Sequence, residues 1–246
     1  MTRLRLGMLT PSSNTMLERV TAAMLAGVPG VTAHFSRFRV TEIGLSPEAL
    51  AQFDDSEILR AAELLAHAKV DTIAWNGTSA SWLGFESDEN LVARIHQATG
   101  VPACTSVLAF RDIFDRTGVT RLGLVTPYTD DVQARIMANW GAAGYACVSE
   151  THAGLSDNFS FAEIAPTEIV SMVRAVASAK PDAIAIVCTN MAGADVTHAL
   201  ERELDVPIYD SIATALWASL WLAGGNPAAV KGWGRLFTDA RLGLRA

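Results

Sequence analysis

Arg5–Pro11 reads RLGMLTP and Arg121–Pro127 reads RLGLVTP, with five of seven positions identical at an offset of 116 residues. Two further pairs follow in the same order. Asp71–Thr78, DTIAWNGT, corresponds to Asp182–Thr189, DAIAIVCT, at an offset of 111; Val101–Ser106, VPACTS, corresponds to Val206–Ser211, VPIYDS, at 105. One short match between α/β strands arises easily by chance. Three in register order, with slowly shrinking offsets, point to an internal duplication of about half the chain.

Each copy opens with a short apolar run that ends in small or turn residues. Segments of helical period follow: Glu48–Ala68 and Asn90–Ala98 in the first copy, Thr167–Ala179 and Ala194–Leu204 in the second. Such alternation predicts parallel βαβ units, whose right-handed crossovers place the strand-to-helix loops along one edge of the sheet. Ligands bind at that edge. The predicted fold class is α/β, with two pseudo-symmetric parallel-sheet domains and the site in the cleft between them. Residues 1–115 with a returning segment 222–246 form the first expected domain, and residues 116–221 the second. Four loops then converge: PSSN (Pro11–Asn14), NGTSAS (Asn76–Ser81), PYTDD (Pro127–Asp131) and CTNMAG (Cys188–Gly193).

Of the 246 residues 50% are apolar and 18% charged, with mean hydropathy +0.24, which suits a compact globular body. A net charge of −7 gives no general attraction to nucleic acid or anionic membrane. An anionic substrate must then be held by local groups. Cys104, Cys147 and Cys188 are odd in number, widely spaced and without a CxxC, which argues against a disulfide framework or structural zinc and for a reducing compartment. The N-terminal stretch MTRLRLGMLTPSSNT reaches a Pro-Ser-Ser-Asn turn before a signal-like apolar core develops, so an unexported, cytoplasmic protein is expected. Ile212–Ala223 is shorter than the roughly 20 residues of a membrane span and reads as a buried helix.

No Walker loop, GxGxxG, HExxH or GxSxG occurs. The histidines His34, His67, His96, His152 and His198 show no metal-ligand spacing. The repeat sets Cys188 opposite Gly77, and each is followed by a threonine, Thr189 or Thr78. A cysteine at a strand end, just before a helix N-terminus, can have its thiolate stabilised by backbone N–H groups and the helix dipole. It then serves as acid, base or nucleophile; otherwise a cysteine in an apolar strand is small core filler, the expected role of Cys104 and Cys147. Gly77, Thr78 and Ser79 offer N–H groups and hydroxyls suited to a carboxylate or enolate oxygen. The same residues also make ordinary turns and caps, and Ser12, Ser13 and Asn14 share that ambiguity. Tyr128 follows a proline at a strand end and would aim its phenol into the cleft, whereas Asp130 and Asp131 read as the cap of the next helix. Trp75 and Trp82 flank the NGTSAS loop, as core or as pocket wall. Arg37 and Arg39 read as surface, with contact to a dianionic ligand as the alternative.

PSSNT (Pro11–Thr15), GTSAS (Gly77–Ser81), VTPYTDD (Val125–Asp131), the pair Asp157 and Asn158, the strand-end Cys188 and GWGRLF (Gly232–Phe237) together resemble the aspartate/glutamate racemase superfamily. Within it, the chain is similar to the branch containing maleate cis-trans isomerase and arylmalonate decarboxylase, over nearly its whole length. The resemblance implies two Rossmann-like, flavodoxin-like domains, no cofactor, no metal, and proton-transfer or covalent thiol chemistry between two facing positions. It implies a small carboxylate or dicarboxylate as partner and leaves a homo-oligomer open.

Two-thiol members of that superfamily have cysteine at both facing positions, and in maleate isomerases the first-domain cysteine attacks the double bond. Here that first-thiol position is vacant, at Gly77. Arylmalonate decarboxylases have the glycine, followed by Thr-Ser, and a lone second-domain cysteine that protonates an enediolate after carbon dioxide leaves; Gly77, Thr78, Ser79 and Cys188 fit that pattern. Asn14, Tyr128 and Asn158 instead match positions that grip the dicarboxylate in maleate isomerases. After Cys188 come Thr189, Asn190, Met191, Ala192 and Gly193 in place of the decarboxylase's glycine pair. The expected site has Cys188 as proton donor facing Gly77, with Ser12, Asn14, Thr78, Ser79, Tyr128, Asn158 and Thr189 binding substrate. The expected enzyme is a cofactor-independent malonate-type decarboxylase acting through an enediolate, with an isomerase or racemase, and a non-catalytic carboxylate-binding relative, as alternatives.

Overall fold

The chain folds, in a computed structural model that describes residues 3–52 and 55–243, as two rounds of the same strand and helix alternation. The first round is β1 (Leu4–Pro11), α1 (Leu17–Leu25), β2 (Val31–Phe38), α2 (Pro47–Ala51), α3 (Asp55–His67), β3 (Thr72–Trp75), α4 (Ala80–Leu83), α5 (Phe85–Thr99), β4 (Ala103–Thr105) and α6 (Ser106–Thr117). The second is β5 (Arg121–Thr126), α7 (Asp130–Ala142), β6 (Ala146–His152), α8 (Pro166–Ala177), β7 (Ala183–Ile186), α9 (Gly193–Leu204), β8 (Ile208–Asp210) and α10 (Ser211–Leu222). Short single turns then carry the chain to Leu242. The two sheets are fully parallel and have the same order, β2-β1-β3-β4 and β6-β5-β7-β8.

The duplication extends to individual hydrogen bonds. Asp71 N–H donates to Arg5 O at 2.8 Å while the Asp71 carboxylate accepts from Arg5 N–H at 2.7 Å; Asp182 and Arg121 repeat both bonds, at 2.8 and 2.9 Å. Lys69 and Lys180, two residues before these aspartates, are both left-handed, with φ of 52° and 50°. The glycine of each RLG motif is tightly packed. A Cβ on Gly7 would lie 3.0 Å from Thr72 O and 3.1 Å from Val70, and one on Gly123 would lie 3.1 Å from Val176 of α8.

The expected helical segment from Glu48 to Ala68 is two helices in the structure; residues 53 and 54 between them lie outside the described residues. Ser46 caps α2 by accepting from Ala49 N–H, with Pro47 pre-set for the first turn. Gln52 then bends its amide back to Thr41 N–H at 2.8 Å and Glu42 O at 3.1 Å, which ends the helix against the preceding loop.

Helix α10 is buried at every residue from Ser211 to Leu220, which explains its lack of a polar face. It follows the last strand of the second sheet yet packs on β3 and β4 of the first, and α6 lies against it. Phe114 of α6 in turn reaches the second half, with ring centroids 6.1 Å from Tyr209 and 5.8 Å from Trp140. The halves thus share one apolar core through these two helices. Among the described residues no helix is long and apolar enough to cross a membrane. Phe114→Ala would leave a cavity between the halves and is expected to cost about 3–5 kcal/mol, read as a lowered urea midpoint at unchanged slope.

Candidate active site

The strand-to-helix loops of the two sheets face each other and are tied directly. Thr189, after β7, donates from Oγ1 to Asn76 O at 2.9 Å and accepts from Asn14 Nδ2 at 3.2 Å, while its carbonyl accepts from the same amide at 3.0 Å. The Asn14 Oδ1 accepts from Met16 and Leu17 N–H at 3.0 and 2.9 Å, so one side chain caps α1 and grips the opposite half. Asn190 accepts from Thr15 N–H at 2.9 Å and donates to Asn158 O at 2.6 Å. Arg37 Nη1 donates to Ser12 O and Asn14 O, both at 2.9 Å, and is paired with Glu18; it shapes the PSSN loop from outside. Arg39 lies in a separate groove with Glu42, Glu48 and Glu57.

The pocket enclosed by these loops is lined by Trp75, Gly77, Thr78, Trp82, Tyr128, Asn158, Cys188 and Thr189, with Pro11, Val40 and Ile43 over them. Tyr128 and Thr78 hydroxyls meet at 2.5 Å across the halves. The phenol ring is held edge-on by Trp82 at 5.3 Å and Phe161 at 5.5 Å. The Cys188 thiol lies beside its hydroxyl. Burial, with Cys188 beside it, keeps the Tyr128 proton on well above the ordinary range.

Cys188 is 2% exposed, and its Sγ accepts from Asn190 N–H at 3.3 Å. The strand-end geometry expected for thiolate stabilisation is thus present. It does not decide the protonation state. Burial pushes the thiol up to about 12, against hydrogen bonds from Asn190, Tyr128 and Met191 that lower it, and the carboxyl of Asp210 adds to the rise. At neutral pH the sulfur carries its proton.

Of the other expected residues, Asn14, Ser12 and Ser79 do not line the pocket. Ser12 accepts from Val40 N–H at 3.2 Å, Asn14 forms the cross-tie, and the Ser79 carbonyl receives Trp82 and Leu83 N–H at the start of α4. Asn158 lines the pocket and donates to Ser13 Oγ at 2.7 Å. Trp75 and Trp82 are both core and wall. Val40 and Ile43 carry no chemical signature in the sequence. They enter the site because their segment pairs with the other half, Ile43 N–H to Ser156 O at 2.8 Å and Asn158 N–H to Thr41 O at 2.9 Å. The enclosed volume is about 20 Å³, roughly one water.

Sequence reasoning also missed Asp210. It is fully buried at the end of β8, with Oδ1 accepting from Ile212 and Ala213 N–H at 2.8 and 3.3 Å as the cap of α10. Its Oδ2 lies 2.5 Å from where a Cβ on Gly193 would stand, so only glycine fits at the start of α9. Burial raises its carboxyl to about 7. The repeat itself held the signal, since Asp210 answers to the neutral Thr105 of the first copy. Among the described residues no group of three or more His, Cys, Asp and Glu side chains is placed to hold a metal ion.

Two parallel-sheet halves closing on a protonated thiol, a phenol and a threonine define the architecture against which known proteins can be set. The family model for arylmalonate decarboxylase matches residues 24–237. The chain belongs to that family of enzymes, in the branch it shares with maleate isomerase. It is 26% identical to an arylmalonate decarboxylase of Bordetella bronchiseptica over 96% of this chain and 97% of the relative. It is 27% identical to a maleate isomerase of Nocardia farcinica over 94% of each. A maleate isomerase from Pseudomonas putida S16, solved with maleate, superposes with a TM-score of 0.90 over 99% of this chain and 100% of its own, at 24% identity.

The Asp210 carboxyl gives the fold a measurable pH dependence. Between 3.8 and about 7 the folded chain keeps a proton that the unfolded chain has released. This contribution to stability is complete below pH 4 and lost as the pH rises through 7. Asp210→Asn, which keeps an acceptor for Ile212 N–H, is expected to remove that loss. From pH 5 to 8, wild type should lose on the order of 2–3 kcal/mol more than the variant in urea unfolding; parallel pH curves would contradict the assignment.

Proposed function

We propose that the chain is a malonate-type decarboxylase in which Cys188 protonates an enediolate. The supporting observation is the asymmetry of the facing positions: a thiol that holds its proton at Cys188 and no side chain at Gly77. A nucleophilic attack calls for a thiolate, whereas delivery of a proton calls for a neutral S–H close to the carbon that receives it.

In this reading one malonate carboxylate binds at the Thr78 turn beneath the Tyr128 hydroxyl. These two groups bond each other at 2.5 Å in the closed site and would redirect their protons to the substrate oxygens. The bond from the α-carbon to the other carboxylate breaks, carbon dioxide leaves, and the electron pair moves into an enediolate. Aligned donors in a site without bulk water lower that barrier by several kcal/mol. The Cys188 Sγ–H then gives its proton to the α-carbon, and the thiolate recovers a proton from water. Asn14, Thr189 and Asn190 hold the two loops at working distance. The relatives' names carry the substrate class, maleate or an arylmalonate, and both are small carboxylates.

A second reading, maleate-type isomerisation, draws on Tyr128 and Asn158, which line the pocket together as the resemblance to maleate isomerases implies. Cys188→Ala should abolish carbon dioxide release from malonates without loss of fold, and Tyr128→Phe should lower kcat about a hundredfold or more. Turnover retained by Cys188→Ala, measured by carbon dioxide release, would defeat the decarboxylase reading. Conversion of maleate to fumarate, followed by proton NMR, would favour the second.

A further inference from the structure

The chemistry proposed above leaves Trp75 unused. Trp75 is the last residue of β3, 1% exposed, in register with Leu9 on one side and Thr105 on the other, and its ring packs on Phe38 at 5.1 Å. The benzo edge of its indole lies over Gly77. A Cβ on Gly77 would stand 1.9 Å from Cζ2, 2.3 Å from Cε2 and 2.4 Å from Cη2, far inside any tolerable contact. The volume that a side chain at position 77 would fill, on the wall the repeat sets opposite Cys188, therefore belongs to the tryptophan.

The pocket walls differ in how they are held. Val40, Ile43 and Asn158 sit on connections outside the two sheets, joined across the gap by the antiparallel bridge between Glu42 and Asp157 and by the side chains of Ser13 and Asn190 on Asn158. Trp75, Tyr128 and Cys188 sit on or just after strands of the two sheets, whose ladders fix their backbones. A substrate that made room for itself by displacing the first group would gain space toward solvent and would still meet the indole, whose backbone is fixed by the β3 ladder. We propose that Trp75 sets the size of the substrate, confining the site to malonates or related dicarboxylates with hydrogen or a short aliphatic group on the reacting carbon and excluding planar aryl substituents. This inference rests on the reading of the pocket as a carboxylate site and names the substrate class within it.

The test compares methylmalonate with phenylmalonate in wild type and Trp75→Val. Wild type is expected to favour methylmalonate in kcat/KM by at least a hundredfold, and Trp75→Val to shrink that ratio at least tenfold. Equal turnover of the two by wild type, or an unchanged ratio in a folded variant, would overturn the inference. Where Trp75→Val does not fold, Trp75→Phe should move the ratio in the same direction by less, and no movement counts against it. Should neither malonate be turned over, the decarboxylase reading fails by itself, and thermal shifts make the same comparison through binding. Methylmalonate but not phenylmalonate should then stabilise wild type, and both should stabilise the variant; an equal response of wild type to both, or no response of either protein, overturns the inference. The contact is checked without any ligand: Gly77→Ala should lower Tm by several degrees in wild type and be near neutral in Trp75→Val, and equal losses in both would refute it.

Discussion

The side chain of Thr189 holds the site together, because its hydroxyl donates to the first half at Asn76 while its own carbonyl and oxygen receive the amide of Asn14. All three bonds are buried, where an unmade partner costs more than an average hydrogen bond contributes. The loops at the strand ends are thereby fixed face to face, and everything chemical in the pocket depends on that spacing. Tyr128 of one half reaches Thr78 of the other only because the strands behind them cannot slide apart. The shared apolar core made by α6 and α10 enforces the same spacing from behind.

Electrostatics inside the closed site follow from burial more than from helix ends. Cys188 stands where backbone N–H groups converge, and those groups do lower its affinity for the proton. The loss of water outweighs them. The same effect keeps the proton on Tyr128 and raises the carboxyl of Asp210. A site assembled this way stores protons and offers donors, which suits the stabilisation of a carbanionic intermediate better than the supply of a ready nucleophile.

The fold was largely legible because a duplication exposes its own frame: matched RLG, D-x-I-A and V-P segments mark β1 and β5, β3 and β7, and the entries to β4 and β8. The cysteine, tyrosine and threonine at strand ends were legible for the same reason, since chemistry and topology pointed to one edge. Asn14 was legible as a loop residue but not in its role, because a hydrogen bond to the opposite half depends on how two sheets pack; Ser12 instead binds Val40 of its own half. Val40 and Ile43 were not legible at all. Apolar residues in a connection give no sign that the connection crosses a cleft.

What separates the two copies is how each fills the space beneath its loop. At the offset of 111, Trp75 answers to Ile186, Gly77 to Cys188 and Trp82 to Gly193. The first half spends its volume on two indoles and leaves no room at the residue between them. The second half has an aliphatic strand residue and a glycine, and the freed space admits a thiol and, against Gly193, the carboxyl of Asp210. A similar exchange sets Tyr128 against Ser12 at the offset of 116, so that the second half reaches across the cleft while the first binds back to Val40. Close packing makes such changes interdependent, since a side chain added at one position needs another removed nearby. The copies have therefore diverged as matched sets, one into a wall and the other into the proton-bearing side of the pocket.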